Sequence, residues 1–392
     1  MAINNHLSAL SRDQLQPISD ALTTPGRKPI LIGPHGSSLA YVLTCLMEES
    51  TPRQSSHLSS SKTSRVPQGQ SWLIMVPTHS EAEQLFQDLV FCHGLFHRTT
   101  QRLSFFPNRG HAPYEVTAPA IDLLSQRMRT LFQLQDSEVS VVITTPEAAL
   151  QRLLPKSVFV DACLTLKKGS VFDREPLISH LLRIGYRRVS VVEIPGEFSV
   201  RGGIVDVFST AADEPMRLDF LGDTVESTRH FDPATQESTE RLSHAHILPA
   251  REYIPTNEDF VRDTQDLSSD AEWRGPDIYP SMNTLLEYFA HPPVVVMDRP
   301  QYLAKEGQSF WDNLLETWSR LEDSHSGVPY PEPDRLYMWW EDLVQALSRN
   351  PTLTTDVIAP SSEDSWEPIV HISAPSPQSI GLGLRGTSFS NT

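Results

Sequence analysis

Short alternations of apolar and polar residues fill the stretch 186–233. Pro-Gly, Gly-Gly and Gly-Asp pairs interrupt this alternation, which is typical of tight turns between strands. A period of two places successive side chains on opposite faces of a sheet. The stretch therefore predicts a run of short antiparallel strands.

A different pattern surrounds this stretch. Short apolar runs, typical of buried parallel strands, alternate with helical segments; the runs are 28–32, 71–76, 139–144 and 293–298. One helix is predicted to begin at Ser80 as its N-cap, with Glu83 as the second member of a capping box. The alternation predicts an α/β fold, in which a small α+β domain is inserted into an open parallel-sheet domain.

These patterns divide the 392 residues into four segments. Residues 1–160 are predicted to form the first part of the α/β domain, with a flexible Ser-rich insertion at 51–70. Residues 161–252 form the inserted domain, and 253–348 form the second part of the α/β domain. Residues 349–392, dense in Pro, Ser and Thr, are predicted to be a linker or the start of a further domain in a longer protein.

The net charge of −17 argues against a broad basic surface that holds nucleic acid directly. The sequence has no apolar run of about 18 residues and no signal peptide, so no membrane association and a cytoplasmic location are expected. Cys45, Cys92 and Cys163 have neither zinc-ligand spacing nor a disulfide framework. We therefore expect no resident metal.

One strand-to-helix junction has the frame of a phosphate-binding loop. Such a loop needs a lysine for the β and γ phosphates and a Ser or Thr for magnesium, but these places carry Leu39 and Ala40. The sequence therefore favours a turn kept for packing, with no nucleotide bound. The residues in this degenerate, helicase-like P-loop frame are Gly33, Gly36, Ser37, Ser38 and Leu39.

A second position leads to the same expectation. The apolar strand at 293–298 ends in Asp298, followed by Arg299, whereas an ATPase needs Asp for magnesium and then Glu to orient the attacking water. An Asp after a buried strand is also common as a turn residue. With both halves of a possible ATP site degenerate, we expect this segment not to be an enzyme and to use no cofactor.

The stretch 185–236 carries the most specific signal in the chain. Its matching motifs are GYRR at 185–188, GEF at 196–198, VRGGIVDVF at 200–208, RLDFLGD at 217–223, VES at 225–227, FDP at 231–233 and Gln236. In these residues the stretch resembles the UvrA-interacting domain shared by UvrB and the bacterial transcription-repair coupling factor (Mfd) family. Weaker similarity reaches to about residue 347, so most of the chain resembles the N-terminal UvrB-homology module of that family.

The resemblance implies a role for particular arginines. Within the family, arginines of the inserted domain dock UvrA, and Arg188 and Arg201 match such arginines by position. Ser199 stands where UvrB has another arginine, and Arg187 and Phe198 complete the predicted UvrA-binding set. Arginine suits this role because its guanidinium forms paired hydrogen bonds with carboxylates.

As a whole, the resemblance implies a non-catalytic adaptor that recruits UvrA to damage-stalled transcription in nucleotide excision repair. ATP, magnesium, DNA and RNA polymerase would act only through an ATP-dependent translocase further along the family protein. One alternative is a divergent UvrB-like ATPase that binds damaged DNA, and another is a truncated product without a partner. A monomer is the default expectation.

Overall fold

The computed structural model describes residues 12–24, 27–49, 70–96, 102–115, 120–135, 140–210, 212–254, 275–323, 330–357 and 369–371. The predicted flexible insertion at 51–70 lies outside these residues, except for residue 70.

Seven parallel strands form the main sheet. They are β1 Ile30–Ile32, β2 Trp72–Met75, β3 Arg102–Phe106, β4 Ser140–Thr144, β13 Val294–Asp298, β14 Thr352–Asp356 and β15 Ile369–His371. Their order across the sheet is β15-β1-β14-β13-β2-β4-β3, and each neighbouring pair is parallel. The prediction of a mixed α/β fold with a parallel sheet is confirmed.

Helices connect these strands and cover the sheet. Within the described residues they are α1 Arg12–Thr23, α2 Ser37–Glu49, α3 His79–Phe96, α4 Ile121–Gln133, α5 Pro146–Leu150, α6 Lys156–Ala162, α7 Arg174–Arg183, α8 Gly275–Ile278, α9 Leu285–Tyr288, α10 Pro300–Asp323, α11 Pro333–Leu336 and α12 Trp340–Leu347. Alternate residues of β2 belong to different cores, Leu73 to one and Trp72 to the other. The sheet is thus buried on both faces, as parallel sheets require.

The prediction that 349–392 is a linker or the start of a further domain is wrong for two of its segments, which are strands of the main sheet. Thr352–Asp356 is β14, inside the main sheet between β1 and β13, and Ile369–His371 is β15 beside β1. Buried threonines explain the error, because β-branched residues favour strands even where the sequence looks polar. Thr355 has no exposed surface, and its hydroxyl donates a hydrogen bond to Asp298 at 2.7 Å.

The predicted capping box of α3 is present but lies two residues earlier. The backbone N–H of Thr78 donates to Glu81 Oε2 at 3.2 Å, and the N–H of Glu81 donates to Thr78 Oγ1 at 3.3 Å. These reciprocal bonds satisfy two N–H groups at the start of the helix. Ser80 and Glu83, the residues predicted for these roles, instead lie inside the helix.

The inserted unit contains a second sheet of six strands, in the order β11-β10-β9-β8-β7-β6. The strands are β6 Arg187–Arg188, β7 Glu197–Arg201, β8 Ile204–Val207, β9 Met216–Leu221, β10 Thr224–Phe231 and β11 Ser238–Arg241. All neighbours are antiparallel except β6 and β7, which are parallel because residues 189–196 lead back along the sheet. The expectation of an entirely antiparallel run is wrong at this edge.

The inserted unit packs against the α/β body. Strands β5 Leu164–Leu166 and β12 Ala245–Ile247 pair antiparallel at its base. Phe198 and Val205 of the inserted sheet share one hydrophobic core with Leu73 of the main sheet. This shared core positions the opposite face of the inserted sheet away from the body.

Candidate functional site

A two-residue turn joins β7 to β8 and fixes their register. Gly202 has a φ of +59°, and a Cβ on Gly203 would lie 2.7 Å from the carbonyl oxygen of Phe220. Glycine is the residue that meets these requirements without strain. The turn places Ser199 directly opposite Asp206 on the neighbouring strand.

The two faces of the inserted sheet differ in chemistry. One face is apolar and lies in the shared core, with Phe198, Val205, Val207, Met216 and Leu218. Because side chains alternate along a strand, the residues between these point the other way. That second face, here called the polar face, is formed by Arg187, Glu197, Ser199, Arg201, Asp206 and Arg217.

Asp206 lies at the centre of the polar face and has no exposed surface. It accepts hydrogen bonds from Arg217 at both oxygens, from Nε at 2.7 Å and from Nη2 at 3.1 Å. Arg201 donates a single Nη2 bond to the same carboxylate at 2.6 Å. The Arg217 side chain is 14% exposed, whereas that of Arg201 is 49% exposed. The hydrogen bond to Asp206 raises the pKa of Arg217.

Glu197 is the second buried carboxylate on the polar face. It accepts hydrogen bonds from Arg187 Nη2 at 2.5 Å and from the backbone N–H groups of Glu193 at 2.9 Å and Ile194 at 3.1 Å. Burial raises the pKa of Glu197, but these bonds outweigh burial and the pKa lies below its ordinary value. The ionised carboxylate therefore holds Arg187, whose side chain is 71% exposed.

The structure separates the five predicted docking residues. Arg187 and Arg201 lie on the polar face with exposed side chains, whereas Phe198 is buried in the shared core. Ser199 is also buried, and its hydroxyl has no hydrogen-bond partner among the described residues. Arg188 is exposed, but it follows Arg187 in β6, and successive strand residues point to opposite faces. Arg188 thus belongs to the edge of the sheet and to its other face.

The residues that hold these arginines are not among those predicted from the sequence. In the register set by Gly202 and Gly203, Arg201 pairs with Ile204, so Asp206 is its diagonal neighbour. Long side chains reach across such diagonals. That spacing is the sequence signal for the Arg201–Asp206 pair, whereas nothing local indicated Arg217.

The predicted phosphate-loop frame forms the turn between β1 and α2. Gly33 and Gly36 adopt φ values of +110° and +54°. The Ser38 hydroxyl accepts from the backbone N–H of His35 at 3.0 Å and donates to the carbonyl of His35 at 2.7 Å. Leu39 is buried in the core beside this turn. The hydroxyl of Ser38 is therefore bonded to the backbone of its own turn.

Ser37, the remaining residue of the frame, donates a hydrogen bond from its hydroxyl to Asp88 Oδ2 of α3 at 2.8 Å. This bond ties the start of α2 to a neighbouring helix. Both serine hydroxyls of the frame thus have partners within the chain.

Asp298 and Arg299 form a closed cluster at the end of β13. One carboxylate oxygen of Asp298 accepts from Thr355, and the other accepts from Arg299 Nε at 2.9 Å. Arg299, which adopts a φ of +51°, also donates to Glu81 Oε1 at 2.7 Å. Burial raises the pKa of Asp298, and the bonds from Thr355 and Arg299 oppose this rise. Arg299 therefore forms hydrogen bonds with both carboxylates, Asp298 and Glu81, at this edge of the sheet.

Another carboxylate cluster joins the inserted unit to the body. Glu252, at the end of the inserted unit, pairs with Arg127 of α4 and with Arg109 Nη2 at 2.7 Å. Arg127 also donates to Gln151 at 2.8 Å and lies over the ring of Phe106, 4.2 Å from its centroid. Burial raises the pKa of Glu252, but the two arginines outweigh burial and lower it to about 2.

Two further features are absent from the described residues. These residues contain no helix that is both long and apolar enough to cross a membrane. They also contain no group of three or more His, Cys, Asp or Glu side chains arranged to hold a metal ion.

The inserted unit is similar to a known domain family. The UvrB interaction domain family matches residues 164–253, a range that begins at β5 and ends just after Glu252. The six-stranded sheet with its polar face thus lies in the part of the chain that is similar to the UvrB interaction domain.

The relatives extend the similarity into the α/β body. Among them are transcription-repair-coupling factors of Myxococcus xanthus, with 37% identity over 147 residues, and Escherichia coli K12, with 34% over 167 residues. The factor of Haemophilus influenzae is 26% identical over 281 residues, which cover 65% of this chain. The chain is therefore similar to a segment of the transcription-repair-coupling factors. It spans only 12% to 24% of the length of these three relatives.

Proposed function

We propose that this chain is a non-catalytic adaptor module that recruits UvrA in transcription-coupled nucleotide excision repair. The observation that carries the proposal is the match of residues 164–253 to the UvrB interaction domain. The polar face of that domain presents two exposed arginine side chains, Arg187 and Arg201. Exposed arginines on a rigid sheet are well suited to bind carboxylates of a protein partner.

Within this proposal, the predicted docking residues have different roles. Arg201 and Arg187 contact UvrA directly from the polar face, and Arg188 contributes from the exposed sheet edge. Phe198 and Ser199 are buried, so they act by supporting the strand and not by contact. UvrA would therefore bind around the β6–β7 edge of the sheet.

The α/β body serves as a scaffold without ATP chemistry in this proposal. Leu39 provides no charge for a phosphate, and Ser38 bonds to the backbone of its own turn. Arg299 places a positive charge against Asp298, where magnesium would otherwise bind. In this proposal, ATP-driven translocation and displacement of RNA polymerase belong to other segments of the relatives, which are much longer than this chain.

The docking proposal is tested by calorimetric titration of the chain with UvrA from the same organism. Arg201→Glu reverses the charge on the polar face, and we expect the affinity to fall by about 2 kcal/mol or more, roughly thirty-fold. Arg188→Glu tests the edge separately. Arg320→Glu is the matched control, because Arg320 makes an exposed ion pair on a distant helix. Unchanged affinity for both Arg201→Glu and Arg188→Glu would refute docking through these arginines.

The non-catalytic proposal is tested by titration of the chain with ATP and magnesium, with UvrB as a positive control. We expect no saturable binding and no hydrolysis. Saturable ATP binding would instead favour the alternative of a UvrB-like ATPase. The result is independent of the UvrA titration, so each half of the proposal can fail alone.

A further inference from the structure

Two arginines share one carboxylate on the polar face, but they use it differently. Arg217 bonds to both oxygens of Asp206 and also donates from Nη1 to the carbonyl of Gln236 at 3.1 Å and to Ser238 Oγ at 3.2 Å. Its guanidinium lies over the ring of Phe231, with 4.7 Å to the centroid. Every nitrogen of the Arg217 guanidinium therefore has a partner within the domain.

Arg201 is the more exposed arginine of the cluster. One of its nitrogens, Nη2, donates to Asp206, and about half of its side chain is exposed. One carboxylate and two guanidinium groups leave a net charge of +1. Because Arg217 is fully engaged, the surplus charge and the free N–H donors are those of Arg201.

We propose that Asp206, itself satisfied by Arg217, is a positioning residue that holds Arg201 extended across the polar face to bind a carboxylate of UvrA. This inference rests on the proposed docking function and names the residues that prepare the site. A flexible arginine loses rotamer freedom on binding, and prior restraint reduces that loss. The buried bond to Asp206 supplies the restraint, and Arg217 prevents Asp206 from neutralising Arg201.

A protein carboxylate is a better ligand for this face than a nucleic-acid phosphate. Acidic residues surround the cluster, with Glu197 on the same face and Asp219 on the next strand. Such a mixed surface does not attract a polyanion. Tight binding of duplex DNA that is lost in Arg201→Ala would overturn the choice of a protein partner.

The experiment is a double-mutant cycle on UvrA affinity, with the variants Arg201→Ala, Asp206→Asn and the pair together. Asp206→Asn removes a negative charge, so a purely electrostatic role predicts tighter binding to carboxylates. Positioning predicts the reverse, a loss of about three- to ten-fold, and no further loss when Arg201 is already alanine. Asp219→Asn is the matched control, since Asp219 pairs with Arg229 and not with Arg201.

The outcomes separate the inference from the function on which it rests. If Arg201→Ala leaves the affinity unchanged, docking through Arg201 fails and the inference fails with it. If Arg201→Ala weakens binding while Asp206→Asn strengthens it, or weakens it equally in both backgrounds, docking stands and positioning by Asp206 is wrong. Should Asp206→Asn fail to fold, Arg217→Lys provides the same test. It keeps the charge but loses the paired bond, and we expect a two- to three-fold loss of affinity that requires Arg201.

Discussion

Two clusters in this chain have the same composition, one buried carboxylate and two arginines, and yet they leave different groups exposed. Glu252 binds Arg109 and Arg127, whose side chains are 15% and 1% exposed. Asp206 binds Arg201 and Arg217, whose side chains are 49% and 14% exposed. Three of these four arginine side chains are at most 15% exposed, so the difference between the clusters lies in Arg201.

That difference follows from where each cluster lies. The Glu252 cluster is covered from two sides, because it bridges the end of the inserted unit and α4 of the body. The Asp206 cluster lies on one face of a sheet whose other face is in the core. An ion pair with a buried carboxylate therefore does not by itself make an arginine a structural residue. The exposed fraction of its side chain indicates whether it can also bind another protein.

The largest expected effect is on stability at the Glu252 cluster. Glu252→Gln leaves two arginines without their carboxylate in a buried site, and we expect a loss of about 3–5 kcal/mol in the free energy of unfolding. Urea unfolding of the whole chain measures this loss. Glu316→Gln, which breaks an exposed helix pair, is the control and should cost less than about 1 kcal/mol. A similar small loss for Glu252→Gln would contradict the structural role of the cluster.

The same cluster predicts an acid dependence. The pKa of Glu252 lies at about 2 in the folded chain, below the ordinary 4.5, so its contribution is complete above about pH 4.5 and is lost as the pH falls towards 2. By about pH 3 we expect the difference in unfolding free energy between the native chain and Glu252→Gln to shrink by about 2 kcal/mol. Urea unfolding at about pH 7 and pH 3 provides the comparison. An equal difference at both pH values would show that Glu252 is not the titrating group.

Within the Asp206 cluster, the less exposed arginine should matter more for stability. Arg217→Met removes the paired bond to Asp206 and the contact with Phe231, and we expect a loss of about 1–3 kcal/mol. Arg109→Met is the matched change in the other cluster, because the Arg109 and Arg217 side chains are about equally exposed, at 15% and 14%, and the loss should fall in the same range. A loss below about 0.5 kcal/mol for Arg217→Met would mean that Asp206 is held by other groups.

How far the sequence predicts these clusters depends on the distance along the chain. Arg201 and Asp206 flank a Gly-Gly turn, so strand alternation and the two-residue turn place them on one face. The same alternation indicates that neighbouring Arg187 and Arg188 point to opposite faces. Glu252, by contrast, lies 143 residues from Arg109, and only the packing of the inserted unit on the body brings them together.

The main sheet shows the same limit for whole elements. Strands such as β2 and β13 are continuous apolar runs and were predictable from the sequence. Strand β14 was missed because its threonines look polar, although the hydroxyl of Thr355 is satisfied by Asp298 inside the sheet. A capping box at the start of α3 was predicted correctly, but it was placed two residues too far along the chain. The reason is that serine, threonine and glutamate occur at adjacent candidate positions.

The smallest expected effect on stability is at Arg201, and it distinguishes a role in binding UvrA from a structural role. Arg201→Met removes one bond from a half-exposed side chain while Arg217 still satisfies Asp206, so we expect a loss of no more than about 1 kcal/mol. The same variant should lower UvrA affinity about as strongly as Arg201→Ala, because neither side chain can donate to a carboxylate. Urea unfolding and calorimetric titration on one preparation measure both quantities. A large loss of stability with unchanged affinity would make Arg201 the counterpart of Arg127, a structural residue, and would move the docking surface elsewhere on the domain.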